Sequence, residues 1–346
     1  MPDIRFGIVG SGMIAGVTAK AIDQATGARA VAVSSKHFDR AKKFASEHKI
    51  AKVFKSWQQL VEARDIDAVY VATPTIGREE ICLAALENGN HLISEKPFLN
   101  GLSARRIANQ AQSRGLAFMD ATHFTHHPRT KQVIKQQQKS IGDVQRIYSA
   151  FLFPFVERDN IRFNPKLEPT GAIADIGWYN MRAIVEFLRP AGTIQSIAGA
   201  VKRDQETGAV ISGTGMIEFS SAQTSTFDFG YDAGVCDMDL NILGDNGLIQ
   251  LNDFVLDWKD SFVFGNPNYS ADFTLRQGMA TPREFEHFAV DTQKSQVVYM
   301  IEHFCHMATT EDIELRNAAA ARAIHTQELL DHYCSSVGVT LETSNF

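Results

Sequence analysis

The apolar positions near the start of the chain fall in strand-length runs separated by helix-length segments. Ile4, Phe6, Ile8 and Val9 lie in one short run rich in strand formers, and a proline-free stretch, residues 15–25, follows it. Residues 29–34 predict a second strand, 40–48 a helix and 53–54 a short strand. Ser56-Trp57-Gln58-Gln59 has the form of a capping box, and the helix it opens is expected to run to Arg64. Residues 68–72 are continuously apolar, as a central strand buried on both faces requires. A helix over 79–88 stopped by Gly89, a strand over 91–94, a helix over 103–114 and a strand over 116–119 complete the alternation.

The pattern then changes. Residues 144–155 read as one long strand and 172–188 as a helix stopped by Pro190. Short strands are expected at 194–202, 210–219, 223–231, 238–243, 247–251 and 254–258, broken by turn signals such as Gly244-Asp245-Asn246-Gly247, and helices at 295–308 and 313–335. The fold class is therefore α/β followed by α+β. Residues 1–122 form a Rossmann-type, doubly wound parallel sheet; residues 123–346 form an open, mostly antiparallel sheet with helices on one face. The last helices are free to pack back on the first domain. The second face of that sheet, with Phe227, Phe229 and Tyr231, needs a cover or stands in solvent.

Composition adds limits. A chain of 346 residues suits about two domains, and 44% hydrophobic with 21% charged residues is ordinary for a globular protein. A net charge of −6 gives no reason to expect nucleic acid or an anionic membrane as partner. No window approaches the apolar length of a membrane span, and the first apolar run reads as a fold strand rather than a signal, so a cytoplasmic protein is expected. Cys82, Cys236, Cys305 and Cys334 are scattered, which predicts reduced thiols rather than a zinc or redox pair.

The candidate chemistry begins at Gly10-Ser11-Gly12-Met13-Ile14-Ala15. Gly10 permits a tight turn, Gly12 lets backbone approach a pyrophosphate, and Ala15 lets the helix pack on the strand. The anion then meets the free N–H groups of a helix N-terminus, including those of Met13 and Ile14. NAD sites place a carboxylate about 20 residues beyond the glycines. Here that place holds Ser34-Ser35-Lys36, with Arg40 one turn on. Hydroxyls and cations suit a 2′-phosphate, so NADP is favoured, with NAD the alternative; plain surface charges are the bland reading of Lys36 and Arg40. Thr73-Pro74 and Glu95-Lys96-Pro97 each follow a strand of the parallel sheet, at the edge where a cofactor lies.

With these pieces the sequence resembles the glucose–fructose oxidoreductase, inositol dehydrogenase and MocA (Gfo/Idh/MocA) family. The resemblance rests on the glycine turn, the strand into Thr73-Pro74, Ala84-Ala85-Leu86 with Gly89, Glu95-Lys96-Pro97, and the later Gly171-Ala172-Ile173-Ala174-Asp175-Ile176-Gly177-Trp178-Tyr179. In cadence it is most similar to dimeric dihydrodiol dehydrogenases and NADP-dependent xylose dehydrogenases. The resemblance implies that Lys96 lies beside the nicotinamide and the reacting oxygen, with Asp175 and Tyr179 facing it from the second domain. It also implies a homodimer, or a higher homo-oligomer, through the open sheet. The residues themselves agree, since Asp175 and Tyr179 share a face on a helix. A helix cap for Asp175 and a satisfied core tyrosine for Tyr179 stand as the plain alternatives.

Some positions depart from the family pattern. Arg78 stands where a histidine is frequent, Asp120 replaces a glutamate, Thr125 takes an arginine's place, and Thr170-Gly171 replaces paired glycines. His123, His126 and His127 lack metal-ligand spacing, so no metal is expected, and His123 is a candidate substrate contact. Arg162 resembles a family position suited to a polar substrate, or is a surface arginine. The expected activity is hydride transfer between a nicotinamide cofactor and a secondary alcohol or carbonyl of a sugar, polyol or diol. The rivals are an NAD-using glycosidase of the same family and a non-catalytic dinucleotide sensor.

Overall fold

The computed structural model describes residues 3–258, 266 and 268–339. The chain divides into two compact units: residues 3–126 with 294–324, and residues 127–258 with 268–293 and 325–339.

In the first unit strands and helices alternate: β1 (Ile4–Val9), α1 (Met13–Gln24), β2 (Ala28–Ser34), α2 (Phe38–Glu47), β3 (Lys52–Phe54), α3 (Trp57–Val61), β4 (Ala68–Val71), α4 (Arg78–Glu87), β5 (His91–Ser94), α5 (Gly101–Ser113) and β6 (Phe118–Asp120). The six strands are parallel, in the order β3-β2-β1-β4-β5-β6. The order reverses between β1 and β4, which opens a crevice at the carboxyl ends of those strands. β4 is wholly buried, the physical reason its sequence is continuously apolar. Helix α3 ends at Val61 rather than Arg64, because the N–H groups of Ala63 and Ile66 close single turns onto Leu60 and Ala63. Ser56 does cap it, accepting from the Gln59 N–H at 3.3 Å.

The second unit starts with α6 (Pro128–Gln136), a helix the sequence reading omitted. His127 caps it, Nδ1 accepting from the Arg129 N–H at 2.9 Å, and Pro128 occupies its first turn, a recognised start signal. After β7 (Val144–Pro154), the helix expected over 172–188 is composite. Wide π turns at Ile173–Gly177 and Ile184–Leu188 flank a short α7 (Trp178–Ala183). β8 (Ile194–Arg203), β9 (Val210–Phe219), β10 (Thr224–Gly230), β11 (Asp232–Asp237), β12 (Leu240–Gly244), β13 (Gly247–Leu251), β14 (Ala271–Gln277) and β15 (Glu286–Val290) follow. They form one sheet with β7, in the order β15-β14-β13-β12-β7-β10-β9-β8 with β11 also on β7; β7 and β10 are parallel and the other pairs antiparallel. The strand expected at 254–258 is absent. Phe254, Val255 and Leu256 are buried without joining a ladder, and an apolar run alone does not distinguish the two outcomes.

Helices α8 (Gln296–Thr309) and α9 (Ile313–Ser336) close the chain. Val297, Ile301, Phe304 and Met307 of α8 join the core of the first unit with Phe6, Ile22 and Val33.

The expectation that Phe227, Phe229 and Tyr231 need an outside cover is corrected. All three are buried within the chain. Tyr333 of α9 lies edge-on to Phe227 and Phe229, at 5.0 and 5.8 Å between ring centroids. Tyr231 packs against Phe153, Phe155 and Phe163. The face that stays open carries the intervening residues instead. Tyr148, Thr226 and Met216 form one row across β7, β10 and β9, with Tyr148 39% and Met216 43% exposed. No helix among the described residues is long and apolar enough to cross a membrane.

Candidate active site

The crevice of the parallel sheet collects most of the sequence-derived candidates, because each follows the carboxyl end of a strand. After β1, Gly10 adopts φ +124°, and a Cβ there would lie 2.4 Å from the Ala72 carbonyl oxygen. The turn therefore needs glycine. Gly12 is the N-cap of α1, with no side-chain cap, and nothing lies within 4 Å of where its Cβ would be. The N-terminal turn of α1, with Met13 and Ile14, thus opens on free space of the kind a pyrophosphate fills.

After β2, the Ser11 hydroxyl donates to Ser35 at 2.8 Å, joining the glycine turn to the next strand end. Lys36 and Arg40 are exposed, and no ion pair engages either among the described residues. The buried hydroxyls of Ser34 and Thr73 have no protein partner among the described residues. Orphaned hydroxyls at two strand ends, the open cradle at Gly12 and unpaired cations nearby fit a phosphorylated dinucleotide.

After β5, Glu95 and Lys96 diverge. Glu95 is buried, and its carboxylate accepts from the Tyr70 hydroxyl at 2.7 Å. Burial raises its pKa, and Lys96, Tyr70 and Arg78 oppose that rise. Its side chain is thus bound inside the sheet edge, while Lys96 is half-buried and precedes a cis peptide bond to Pro97. Arg78 is buried and bonded to this region: Nε donates to the Thr73 carbonyl at 3.0 Å, and Nη1 to the Glu95 and Pro97 carbonyls at 2.9 and 2.5 Å. His123, in a 3-10 turn after β6, is also buried, with Nδ1 2.9 Å from Gln296 Nε2 of α8. Gln296 gave no signal in the sequence, since a polar residue in the first turn of an apolar helix is commonplace.

In the second unit the signature segment makes a charged cluster. Gly171 has φ +53°, and a Cβ would stand 2.4 Å from the Val210 carbonyl, so the segment can pass β9 only with glycine there. Asp175 sits in the π turn that follows. Its Oδ2 accepts from Arg162 Nε at 2.5 Å and from the Tyr231 hydroxyl at 2.8 Å. Asp175 raises the Arg162 pKa further, while burial and then Asp175 hold the Tyr231 hydroxyl well above its ordinary value. Arg162 is thus an ion-pair partner of Asp175 rather than a free surface cation. Tyr179 is 7% exposed, with its ring edge-on to Phe151 at 5.3 Å. Tyr231 thus belongs to this cluster and not to an uncovered sheet face.

Comparison with known proteins agrees with this architecture. Residues 4–122 match the model of the oxidoreductase family with an NAD-binding Rossmann fold, and residues 129–250 match the GFO/IDH/MocA C-terminal domain. A dTDP-3,4-didehydro-2,6-dideoxy-alpha-D-glucose 3-reductase of Streptomyces antibioticus is 31% identical over 67% of this chain and 70% of its own. A trans-1,2-dihydrobenzene-1,2-diol dehydrogenase of Bos taurus is 25% identical over 86% of this chain and 92% of its own. Among solved structures, a 3-ketoreductase from Actinomadura kijaniata, in complex with NADP and TDP-benzene, has the same fold. It superposes with a TM-score of 0.82 over 97% of this chain and 98% of its own, at 23% identity.

Proposed function

Since this chain belongs to the Gfo/Idh/MocA oxidoreductase family, we propose that it transfers hydride between NADP and a secondary alcohol or carbonyl carbon of a sugar, polyol or diol. The observation that carries this reading is the convergence of the glycine turn, Thr73-Pro74 and Lys96 on one edge of the parallel sheet. The bound nicotinamide supplies the hydride chemistry, and the protein supplies orientation and charge.

Met13 and Ile14, with Gly10 and Gly12, hold the pyrophosphate; Ser35, Lys36 and Arg40 hold the 2′-phosphate; Thr73, Pro74 and the backbone of Glu95 flank the cofactor. The Lys96 ammonium donates to the substrate oxygen and stabilises the negative charge that gathers there. The Tyr179 phenolate takes the proton when an alcohol is oxidised, and the hydroxyl so formed returns it when a carbonyl is reduced. Asp175 holds Arg162 in place, and Arg162 with His123 contacts polar groups of the substrate. The relatives named above are named for a keto-deoxysugar nucleotide and a cyclic diol, which supports a ring carbonyl or alcohol of a sugar, polyol or diol as the reacting group.

The test is a spectrophotometric screen of D-xylose, inositol and trans-1,2-dihydrobenzene-1,2-diol with NADP⁺ and NAD⁺. Cofactor reduction with at least one is expected; none across a wide set of sugars and diols overturns the reading.

NADP is expected to bind more tightly than NAD. Replacing Lys36 and Arg40 together by alanine should weaken NADP about 10- to 100-fold, the worth of one or two charge-assisted contacts, and leave NAD nearly unchanged. Equal affinities of the unmodified protein for the two, by fluorescence titration, would rule this out.

The assembly proposed is a homodimer, or a higher homo-oligomer, through the open face of the sheet. The row of Tyr148, Thr226 and Met216 supports it, since the large side chains of Tyr148 and Met216 stand exposed on either side of a half-buried Thr226. Sedimentation velocity at micromolar concentration should give at least a dimer, and a monomer alone would refute it.

A further inference from the structure

Arg78 opens α4, where the helix dipole disfavours a cation and where Glu79 and Glu80 follow more naturally. Its side chain is nonetheless 5% exposed. The guanidinium makes four hydrogen bonds, and every acceptor is a main-chain carbonyl. Nε and Nη2 both donate to Thr73, and Nη1 donates to Glu95 and Pro97. Thr73 belongs to the turn after β4, and Glu95 and Pro97 are the two neighbours of Lys96 in the turn after β5. One planar group therefore binds two adjacent strand ends and grips the backbone on both sides of the lysine.

We propose that Arg78 is a positioning residue for Lys96, setting where the ammonium stands relative to the cofactor side of the crevice. This rests on the reading of Lys96 as the group that holds the substrate oxygen. A lysine ammonium is a point charge on a flexible stem, so its aim depends on where the backbone launches it. The Arg78 fork fixes that launch point relative to Thr73, which a one-point donor cannot do. A side chain with a shorter reach and fewer donors, such as histidine, could not hold all three carbonyls at once.

The test is a double-mutant cycle with Arg78→Lys and Lys96→Met, using whichever screened sugar or diol turns over fastest with NADP⁺. Single-turnover hydride transfer, NADP affinity and unfolding midpoint are measured for each protein. Arg78→Lys should fold and bind NADP within about threefold of the unmodified protein, yet transfer hydride about 10- to 100-fold more slowly, as small misplacements of a reacting group do. The double variant should be no slower than Lys96→Met alone, since nothing is left to aim.

Multiplying losses in the double variant, or unchanged transfer by Arg78→Lys, would overturn the inference while leaving the lysine's role intact. Near-normal turnover by Lys96→Met would overturn that role and the inference with it. Arg78→Gln is the second variant; if neither it nor Arg78→Lys folds, Arg78 serves stability rather than positioning, and the inference fails.

Discussion

Lys96→Met is expected to slow turnover by about 10² to 10⁴-fold, the range lost when an oxyanion-stabilising or acid–base group is removed. Methionine keeps much of the unbranched shape of the lysine stem, so packing changes little and the loss reports the charge. As the C–H bond breaks in the alcohol, or forms in the carbonyl, the substrate oxygen passes through a state with alkoxide character. An ammonium held at that oxygen is worth more there than in the ground state, so kcat falls with kcat/KM. Tyr179→Phe belongs to the same prediction. A tyrosine alone is a weak base near neutrality, since its reference pKa is about 10; in the proposed mechanism the Lys96 ammonium, by holding the substrate oxygen, favours the phenolate. The phenylalanine variant should lose turnover in the same range and still bind NADP. Stopped-flow and steady-state assays on one confirmed substrate check both. Near-normal rates for Tyr179→Phe would move the proton transfer to Lys96, Asp175 or a water.

Tyr333→Ala should destabilise the second unit by about 3–5 kcal/mol, the usual cost of deleting a large buried aromatic. The reason is the socket it fills. Added Cβ atoms at Gly199 and Gly215 would lie 2.5 and 2.7 Å from the Tyr333 ring, and one at Gly213 would lie 3.0 Å from its hydroxyl. The three glycines leave a hollow on β8 and β9 that the tyrosine shares with the rings of Phe227 and Phe229, which would lie 2.3 and 2.6 Å from added Cβ atoms at Gly215 and Gly213, and the tyrosine ring packs edge-on against both. The hydroxyl lies 2.8 Å from the Thr214 carbonyl and 3.1 Å from that of Ala200. Tyr333→Phe keeps the ring and should cost only about 1 kcal/mol. Urea denaturation of the two variants separates the contributions. A shift for Tyr333→Ala no larger than that for Tyr333→Phe would show that the hollow collapses freely and that the socket carries little.

The glycine turn, the alternation of β1 to β6 and the delivery of Lys96 to a strand end were all legible from the sequence, because each depends on residues close in the chain. Gly10 must be glycine on account of its own φ, and β4 must be apolar because both its faces are covered. The second half was legible in outline and wrong in places. Ala271, Phe273 and Leu275 alternate with Asp272, Thr274 and Arg276, a period-two signal for β14 that stood in the sequence unread. Phe254, Val255 and Leu256 carry an equally strong apolar signal and form no strand, since burial can be satisfied without a ladder.

By itself, then, the amino-acid sequence determined the nucleotide-binding half, the strand-end position of its candidate groups and the family. Tertiary structure alone decided partnership. It paired Asp175 with Arg162 and Tyr231, bonded His123 to Gln296, turned Arg78 back onto the carbonyls beside Lys96 and seated Tyr333 against three glycines. Local pattern reports a residue's periodicity and neighbours, whereas a hydrogen bond or a socket between residues up to 173 positions apart, as for His123 and Gln296, exists only once the chain has closed that distance.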